Sequence, residues 1–139
     1  RDMEALRKGL ASGAVNALCS DHTPIDDDGK QVPFAQAEPG ATGLELLLPL
    51  ALKWGRELKL PLVKSLARIT SDPARILGIN AGSLGVGAPA DVCVFGPEAG
   101  CRITRETLRS QGKNTPFLGY ELQGRVKTTI VAGNVVYEG

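Results

Sequence analysis

Hydrophobic positions divide the chain into a helix-rich first part and a strand-rich second part. Residues 2–13 place apolar side chains such as Leu6 and Leu10 on one face, which predicts a helix that Gly13 terminates. Residues 14–20 are mostly apolar with little alternation, and this pattern predicts a short strand buried on both faces, as in a parallel sheet. A helix, a tight turn and a buried strand make half of an α/β repeat.

A longer apolar helix is predicted after the polar loop that follows. Thr42 and Glu45 have the spacing of a capping box, which makes Thr42 the expected N-cap. The residues after them put a broad, leucine-rich face on one side of the helix. Pro49 lies inside this pattern, so it is expected to remove one backbone hydrogen bond and to kink the helix. Trp54, on the same helix, is expected to serve packing.

Two short helices are predicted before the pattern changes. The first begins at Pro61. The second has Asp72 as its expected N-cap, Pro73 at its first helical position and Gly78 as its C-terminal stop.

Period-two runs and turn residues dominate the rest of the chain. Asp91–Phe95 is a predicted strand, and residues 96–97, a Gly-Pro pair, are expected to end it. Residues 126–131 and 135–137 predict a hairpin around the turn at residues 132–134.

Charge and cysteine content narrow the class of protein. With 16 basic and 15 acidic residues the net charge is +1, which gives no reason to expect nucleic acid or an anionic membrane as a partner. No apolar run approaches the roughly 20 residues that span a bilayer. Three widely spaced cysteines argue against both a disulfide framework and a CxxC metal site. Cys19 and Cys93 lie in apolar runs and are expected to be buried in a reducing compartment, the cytosol.

Asp21 and His22 directly follow the predicted buried strand. Side chains at the carboxyl ends of parallel strands face the active site in α/β folds, and a carboxylate there can bind a metal and move a proton. A cap or loop-stabilising pair is an equal alternative, because zinc needs three or four protein ligands. Asp26–Asp28 before a glycine favours a solvated turn. The loop at residues 38–43 leads into a helix and can offer N–H groups to a substrate. Serine-hydrolase and dinucleotide-binding motifs are absent.

Several collinear segments together resemble the dihydroorotase family of amidohydrolases. The segments are Ser20–Pro24, Glu38–Glu45, Thr70–Gly78, Gly82–Val92, Lys113–Gly119 and Gly124–Tyr137. The Gly82 pattern alone is shared with hydantoinases and allantoinases, and the Pro-Gly loop and Leu-Pro-Leu helix favour dihydroorotase.

The resemblance implies an α/β fold in which residues 1–80 are the C-terminal portion of a (β/α)8 barrel. Residues 81–139 would then form a β-rich tail of the composite domain. This implies a longer protein, of which the chain is a fragment beginning near the last barrel repeat. Alone, the chain is expected to show no hydrolase activity and no tight zinc binding.

The resemblance also implies a zinc-dependent enzyme of pyrimidine biosynthesis that interconverts carbamoyl-aspartate and dihydroorotate. Asp21 would touch the metal and act as general base and acid, while Pro39 and Gly40 would contact the substrate through their backbone. Asp91 matches a recurrent aspartate for which a structural role is expected. A homo-oligomer is implied, and aspartate transcarbamoylase is an implied partner.

Two departures from the family pattern leave alternatives open. The family's segment usually has a second histidine after the proline, which binds the substrate carboxylate, whereas this chain has Ile25. The His-x-His pair, the bridging lysine and the remaining metal histidines have no counterpart. One alternative is a non-catalytic dihydroorotase-like subunit that supports aspartate transcarbamoylase. Another is a hydantoinase- or allantoinase-type amidase with the same chemistry.

Overall fold

A computed structural model describes all 139 residues. Helices occupy the first part of the chain and an antiparallel sheet occupies the second. The helices are α1 (Asp2–Ser12), α2 (Leu47–Glu57), α3 (Leu62–Ala67) and α4 (Ser71–Leu77). The strands are β1 (Val92–Arg102), β2 (Glu121–Val131) and β3 (Asn134–Glu138). Short 3₁₀ turns lie at Asp28–Lys30, Phe34–Gln36 and Leu44–Leu46. No helix has the length and apolar character that a membrane span needs.

The predicted ends of α1 and α4 are confirmed. Gly13 follows α1 with φ 88° and Gly78 follows α4 with φ 67°, both in the left-handed region that glycine adopts without strain. The prediction that Asp72 caps α4 is wrong, because Thr70 holds the N-cap position. Asp72 lies in the first turn, and its carboxylate binds the guanidinium groups of Arg68 and Arg75 instead.

The capping box predicted for α2 is also wrong. The Leu44–Leu46 turn precedes α2, and Gly43 is at its N-cap position. Thr42 donates its hydroxyl to the carbonyl of Gly112, and the Glu45 carboxylate accepts from backbone N–H groups of residues 109 and 110. Tertiary partners therefore take both side chains away from the local cap.

Pro49 does not kink the interior of α2. It is the third residue of the helix, in the first turn, where a missing N–H interrupts no interior hydrogen bond. The irregularity lies before it, where 3₁₀ geometry changes to α-helix at Leu47.

The predicted strand at residues 14–20 is not formed. The segment has no regular secondary structure, and the N–H of Leu18 donates to the carbonyl of Arg68 at 2.9 Å. A strand needs a neighbour to complete its hydrogen-bond ladder, and β1–β3 pair only with one another. The expected burial of Cys19 and Cys93 is wrong for a related reason: both are exposed, one on this unpaired segment and the other on an edge strand.

The sheet has the order β1-β2-β3, with every pair antiparallel. The predicted end of β1 at Gly96-Pro97 is wrong, since the strand continues to Arg102 through an irregular register between Gly96 and Gly100. An edge strand tolerates proline and a bulge because one side needs no partner. The predicted hairpin is confirmed, and Ala132 (φ 48°) and Gly133 (φ 81°) form its turn.

A small apolar core joins the helical part to the sheet. Leu46, Ile103, Leu108 and Leu122 form one buried cluster. Helix α2 packs on β2 so closely that a Cβ built at Gly124 would lie 2.5 Å from a methyl carbon of Leu52. The expected packing role of Trp54 is confirmed, because it is buried and donates its indole N–H to the carbonyl of Arg7 at 3.4 Å. The division at residue 80 stays a prediction.

Candidate active site

Two loops meet around Asp21. The segment Ser20–Ile25 runs beside residues 39–44, and the N–H of Thr23 donates to the carbonyl of Ala41 at 3.0 Å. This contact fixes the backbone two residues beyond Asp21. The structure thus brings together the two segments that the sequence singled out for catalysis and for substrate contact.

Glycines make the close approach of these loops possible. Gly40 has φ 134°, and a Cβ there would lie 2.6 Å from the carbonyl oxygen of Thr23. A Cβ at Gly43 would lie 2.7 Å from the carbonyl oxygen of Ser20. No larger residue fits at either position without moving a backbone.

His22 connects the same loops through its side chain. Its Nδ1 atom accepts hydrogen bonds from the backbone N–H groups of Gly43 and Leu44, both at 3.1 Å. The alternative that this residue is a cap is therefore confirmed for His22, since these donors lie at the start of the 3₁₀ turn. His22 thus contributes a hydrogen-bond acceptor at Nδ1 to the start of this turn.

Asp21 immediately precedes His22, and its carboxylate is exposed. Its backbone has φ 46°, in the left-handed region that few non-glycine residues adopt and that Asp tolerates better than most. None of the side-chain hydrogen bonds or ion pairs of the protein engages its carboxylate oxygens. The arrangement therefore offers a carboxylate on a constrained backbone, free to accept a proton or a cation.

A third segment supports the site from the sheet side. Asn114 donates its side-chain amide to the carbonyl of Gly40 at 3.3 Å, and its own carbonyl accepts from the N–H of Thr42 at 2.7 Å. Gly112 lies against the loop as well, because a Cβ there would meet the backbone of Ile25 at 3.0 Å. Sequence reasoning did not assign these residues to the site. The resemblance of residues 113–119 to a family segment was the one available signal.

Pro39 and Gly40, the predicted substrate contacts, are on the loop that faces Thr23. Pro39 is exposed, while Gly40 is half-buried. The expected solvated turn at Asp26–Asp28 is exposed, and Asp27 pairs there with Arg105. Asp91 accepts from the N–H of Ala132 at 2.8 Å, which matches its expected structural role in the tail.

Ile25 takes the position at which the family pattern has a second histidine. Its side chain turns toward the Asp28–Lys30 turn, where a Cβ at Gly29 would lie 2.9 Å from Cγ2 of Ile25. It is half-buried and offers no polar group to a substrate. In this chain the position contributes packing.

The donors in this chain do not make a zinc site by themselves. No group of three or more His, Cys, Asp or Glu side chains is placed to hold a metal ion. Asp21 provides one carboxylate, and Nδ1 of His22 is already occupied by two N–H groups. Since zinc takes three or four protein ligands, the chain supplies at most part of such a set.

A cleft of about 1000 Å³ lies beside the site, between the start of α2 and the sheet. His22 and Glu45 line it on one side, and Arg102, Arg125 and Tyr137 line it on the other. Asp21, Pro39 and Gly40 are not among its lining residues. The constrained carboxylate therefore does not open into this cleft.

Comparison with known proteins decides the family. Residues 1–136 match the family model described as "Amidohydrolase family". The chain belongs to the amidohydrolase family. This match covers both the loops around Asp21 and the sheet that follows them.

Curated relatives of this amidohydrolase chain have two kinds of name. A "Dihydroorotase-like protein" of Pseudomonas aeruginosa is 44% identical over 138 residues, 99% of this chain. A "Dihydroorotase" of a Geobacter species is 42% identical over 137 residues, also 99% of this chain. The chain spans 32% of the length of each of these relatives.

Solved structures share the fold of this amidohydrolase chain. An L-hydantoinase (dihydropyrimidinase) from Arthrobacter aurescens is 30% identical with a TM-score of 0.82, over 96% of this chain and 31% of its own. A dihydropyrimidinase from Brevibacillus agri superposes with a TM-score of 0.88 at 23% identity, over the same shares of the two chains. The α/β architecture of the chain is therefore that of a segment of hydantoinases.

Proposed function

We propose that the protein containing this chain is a metal-dependent cyclic amide hydrolase, acting as a dihydroorotase. The reaction is the reversible interconversion of carbamoyl-aspartate and dihydroorotate, a step of pyrimidine biosynthesis in the cytosol. Residues 1–80 would be the C-terminal portion of its (β/α)8 barrel, and residues 81–139 its β-rich tail. Family membership and the names of the relatives support this reaction class.

The observation that carries the proposal is the state of Asp21. Its carboxylate is exposed and unpaired, although the two residues that follow it, His22 and Thr23, are held by the other loop and its own backbone is left-handed. The carboxylates of Asp72 and Glu45, in contrast, are engaged by protein donors. A left-handed backbone at a non-glycine residue whose carboxylate is free is typical of a functional site.

In this proposal Asp21 moves one proton. As general base it takes the proton from the attacking water, and as general acid it returns the proton to the ring nitrogen that leaves when the cyclic amide opens. The backbone of Pro39 and Gly40 lies on the adjoining loop and would orient the substrate. The hydrogen bond between Thr23 and Ala41 holds the loop of Asp21 at a fixed distance from the loop of Pro39 and Gly40.

Asp21 would also supply one ligand to a zinc site, with the remaining ligands contributed from outside this chain. When bound, zinc would polarise the amide carbonyl and make water a nucleophile near neutral pH. This assignment agrees with the chain, which provides a free carboxylate at Asp21 and no complete donor set.

The test is replacement of Asp21 in the complete protein. Asp21→Asn keeps the shape of the side chain and removes its basicity, so dihydroorotate hydrolysis is expected to fall by at least about 100-fold. Asp26→Asn is the matched control, an exposed carboxylate five residues along the same loop, and it should retain wild-type turnover. Retained turnover in Asp21→Asn would reject the proposal.

Ile25 favours a second candidate, a non-catalytic dihydroorotase-like subunit that supports aspartate transcarbamoylase. An apolar side chain at this position cannot bind a substrate carboxylate, and two relatives are named dihydroorotase-like protein. The free carboxylate of Asp21 favours the enzyme instead. Stoichiometric zinc together with turnover in the complete protein would reject the non-catalytic subunit, whereas co-purification with the transcarbamoylase without turnover would support it.

A hydantoinase- or allantoinase-type substrate is the remaining alternative within the same reaction class. Solved structures with this fold include hydantoinases. Relative kcat/KM on dihydroorotate, hydantoin and allantoin separates these alternatives, because the three cyclic amides differ in ring size and in ring substituents. A clear preference for dihydroorotate is expected.

A further inference from the structure

We propose that His22 is a positioning residue for Asp21, an inference that rests on the function proposed above. Its imidazole couples the loop of Asp21 to the start of the Leu44–Leu46 turn through two backbone hydrogen bonds. The chemical requirement is an acceptor at the Nδ1 position. Neither a metal ligand nor a proton donor to substrate is required at this atom.

The contacts of His22 join the residue next to Asp21 to the other loop. On the same side, the N–H of Thr23 donates to the carbonyl of Ala41, and the Thr23 hydroxyl donates to the carbonyl of Asp21 at 3.4 Å. Asp21 has φ 46°, a conformation that a free loop would leave for a lower-energy one. The side chain of the adjacent residue, held at 3.1 Å by Gly43 and Leu44, opposes that relaxation.

Both donors belong to the beginning of a helical segment, where backbone N–H groups lack partners within the helix. Gly43 is half-buried, so the loss of its acceptor would leave a poorly solvated donor. The usual capping residues do not fill this role, since no side chain of the segment itself caps the turn. Nδ1 of His22 therefore accepts from the N–H groups at the start of the turn, and the same contacts orient Asp21.

Two substitutions test whether position 22 requires only a hydrogen-bond acceptor at the place of Nδ1 or the imidazole ring itself. In His22→Asn, the side-chain oxygen is bonded to Cγ, as Nδ1 is, and can accept from the same N–H groups. In His22→Gln the oxygen is one bond further out, at the place of Nε2. The asparagine and glutamine side chains have similar polarity, so a difference in activity between the two variants reports on the hydrogen bonds to Gly43 and Leu44.

In the complete protein, His22→Gln is expected to lower kcat for dihydroorotate by about 10- to 100-fold with KM changed less than about threefold, because a displaced Asp21 affects the chemical step. His22→Asn is expected to recover at least about a third of the wild-type kcat. Amide hydrogen exchange of a peptide covering residues 38–46 should accelerate in His22→Gln and return toward the wild-type rate in His22→Asn.

Each outcome bears on one of the two proposals. Equal kcat values for the two variants in an active protein would overturn the positioning role and leave the reaction intact. A His22→Gln variant that does not fold would also overturn it, because His22 would then be required for folding and not specifically for the position of Asp21. A wild-type protein inactive on all three cyclic amides would overturn the proposed function and, with it, the catalytic role of His22.

Discussion

Arg68 and Asp72 form a buried ion pair in which Nη1 of the arginine lies 2.6 Å from Oδ2 of the aspartate. Arg68 also donates from Nε to the carbonyl of Leu10 at 3.1 Å. Its own carbonyl accepts from the N–H of Leu18 at 2.9 Å. The pair thus joins α3 and α4 to α1 and to the segment that leads into Asp21.

Removal of Asp72 is expected to destabilise the protein strongly. Asp72→Ala leaves the Arg68 guanidinium buried without a counter-charge, which costs about 3 kcal/mol or more in free energy of unfolding. Arg75→Ala is the matched control, because Arg75 contacts the other Asp72 oxygen at 2.8 Å from an exposed position. Its loss should cost about 1 kcal/mol or less. Denaturant unfolding measures both, and equal losses would contradict the role given to the buried pair.

Gly40→Ala is expected to separate the two loops of the site. The new methyl group would lie 2.6 Å from the carbonyl oxygen of Thr23, so one backbone must move. In the complete protein, the proposed function predicts a rise in KM for dihydroorotate, and strain together with the displaced loop predicts a loss of about 2 kcal/mol in stability. Gly119→Ala is the control, with φ 83° and nothing within 4 Å of the added Cβ. It should cost only the backbone strain of about 1 kcal/mol and leave KM unchanged. Similar KM values for both variants would argue against a clash at Gly40.

Glu57 should make the contact between α1 and α2 depend on pH. Hydrogen bonds from Arg7, and then from Lys53, hold the pKa of the Glu57 carboxyl below its usual range. A lowered pKa in the folded state stabilises the protein above the usual carboxyl pKa, and this contribution disappears as pH falls through the lowered value.

The stability difference between wild type and Glu57→Gln is therefore expected to be about 0.5 kcal/mol near neutral pH and to vanish as the pH falls through the lowered pKa of Glu57. Thermal unfolding at a series of pH values measures it. Glu4→Gln is the control, because Glu4 and Lys8 are 3.8 Å apart and both well exposed. A Glu57 difference that is constant with pH would show that the ion pairs do not stabilise the fold.

Local signals in the sequence predicted the C-terminal ends of α1 and α4 correctly. Gly13 and Gly78 are predictable because left-handed backbone favours glycine whatever surrounds it. The hairpin around Gly133 follows from the same preference. These features depend on a few neighbouring residues, so a sequence pattern is enough to locate them.

Side chains with more than one available partner were predicted wrongly. Thr42 and Glu45 match a capping box, yet Gly112 takes the hydroxyl and the N–H groups of Arg109 and Ser110 take the carboxylate. Asp72 matches an N-cap and binds two arginines instead. In each case the stronger partner lies outside the local segment, where no local pattern can indicate it.

For the candidate site, the sequence alone determined that Asp21 follows an apolar segment and that a glycine-bearing loop leads into the next helix. Whether that carboxylate is free, and what holds it, was decided by tertiary structure. His22, Thr23 and Asn114 fix the site through backbone groups of residues that lie 18 to 74 positions away. Every residue has a backbone N–H or carbonyl of nearly the same chemistry, so only the folded chain selects which of them meet.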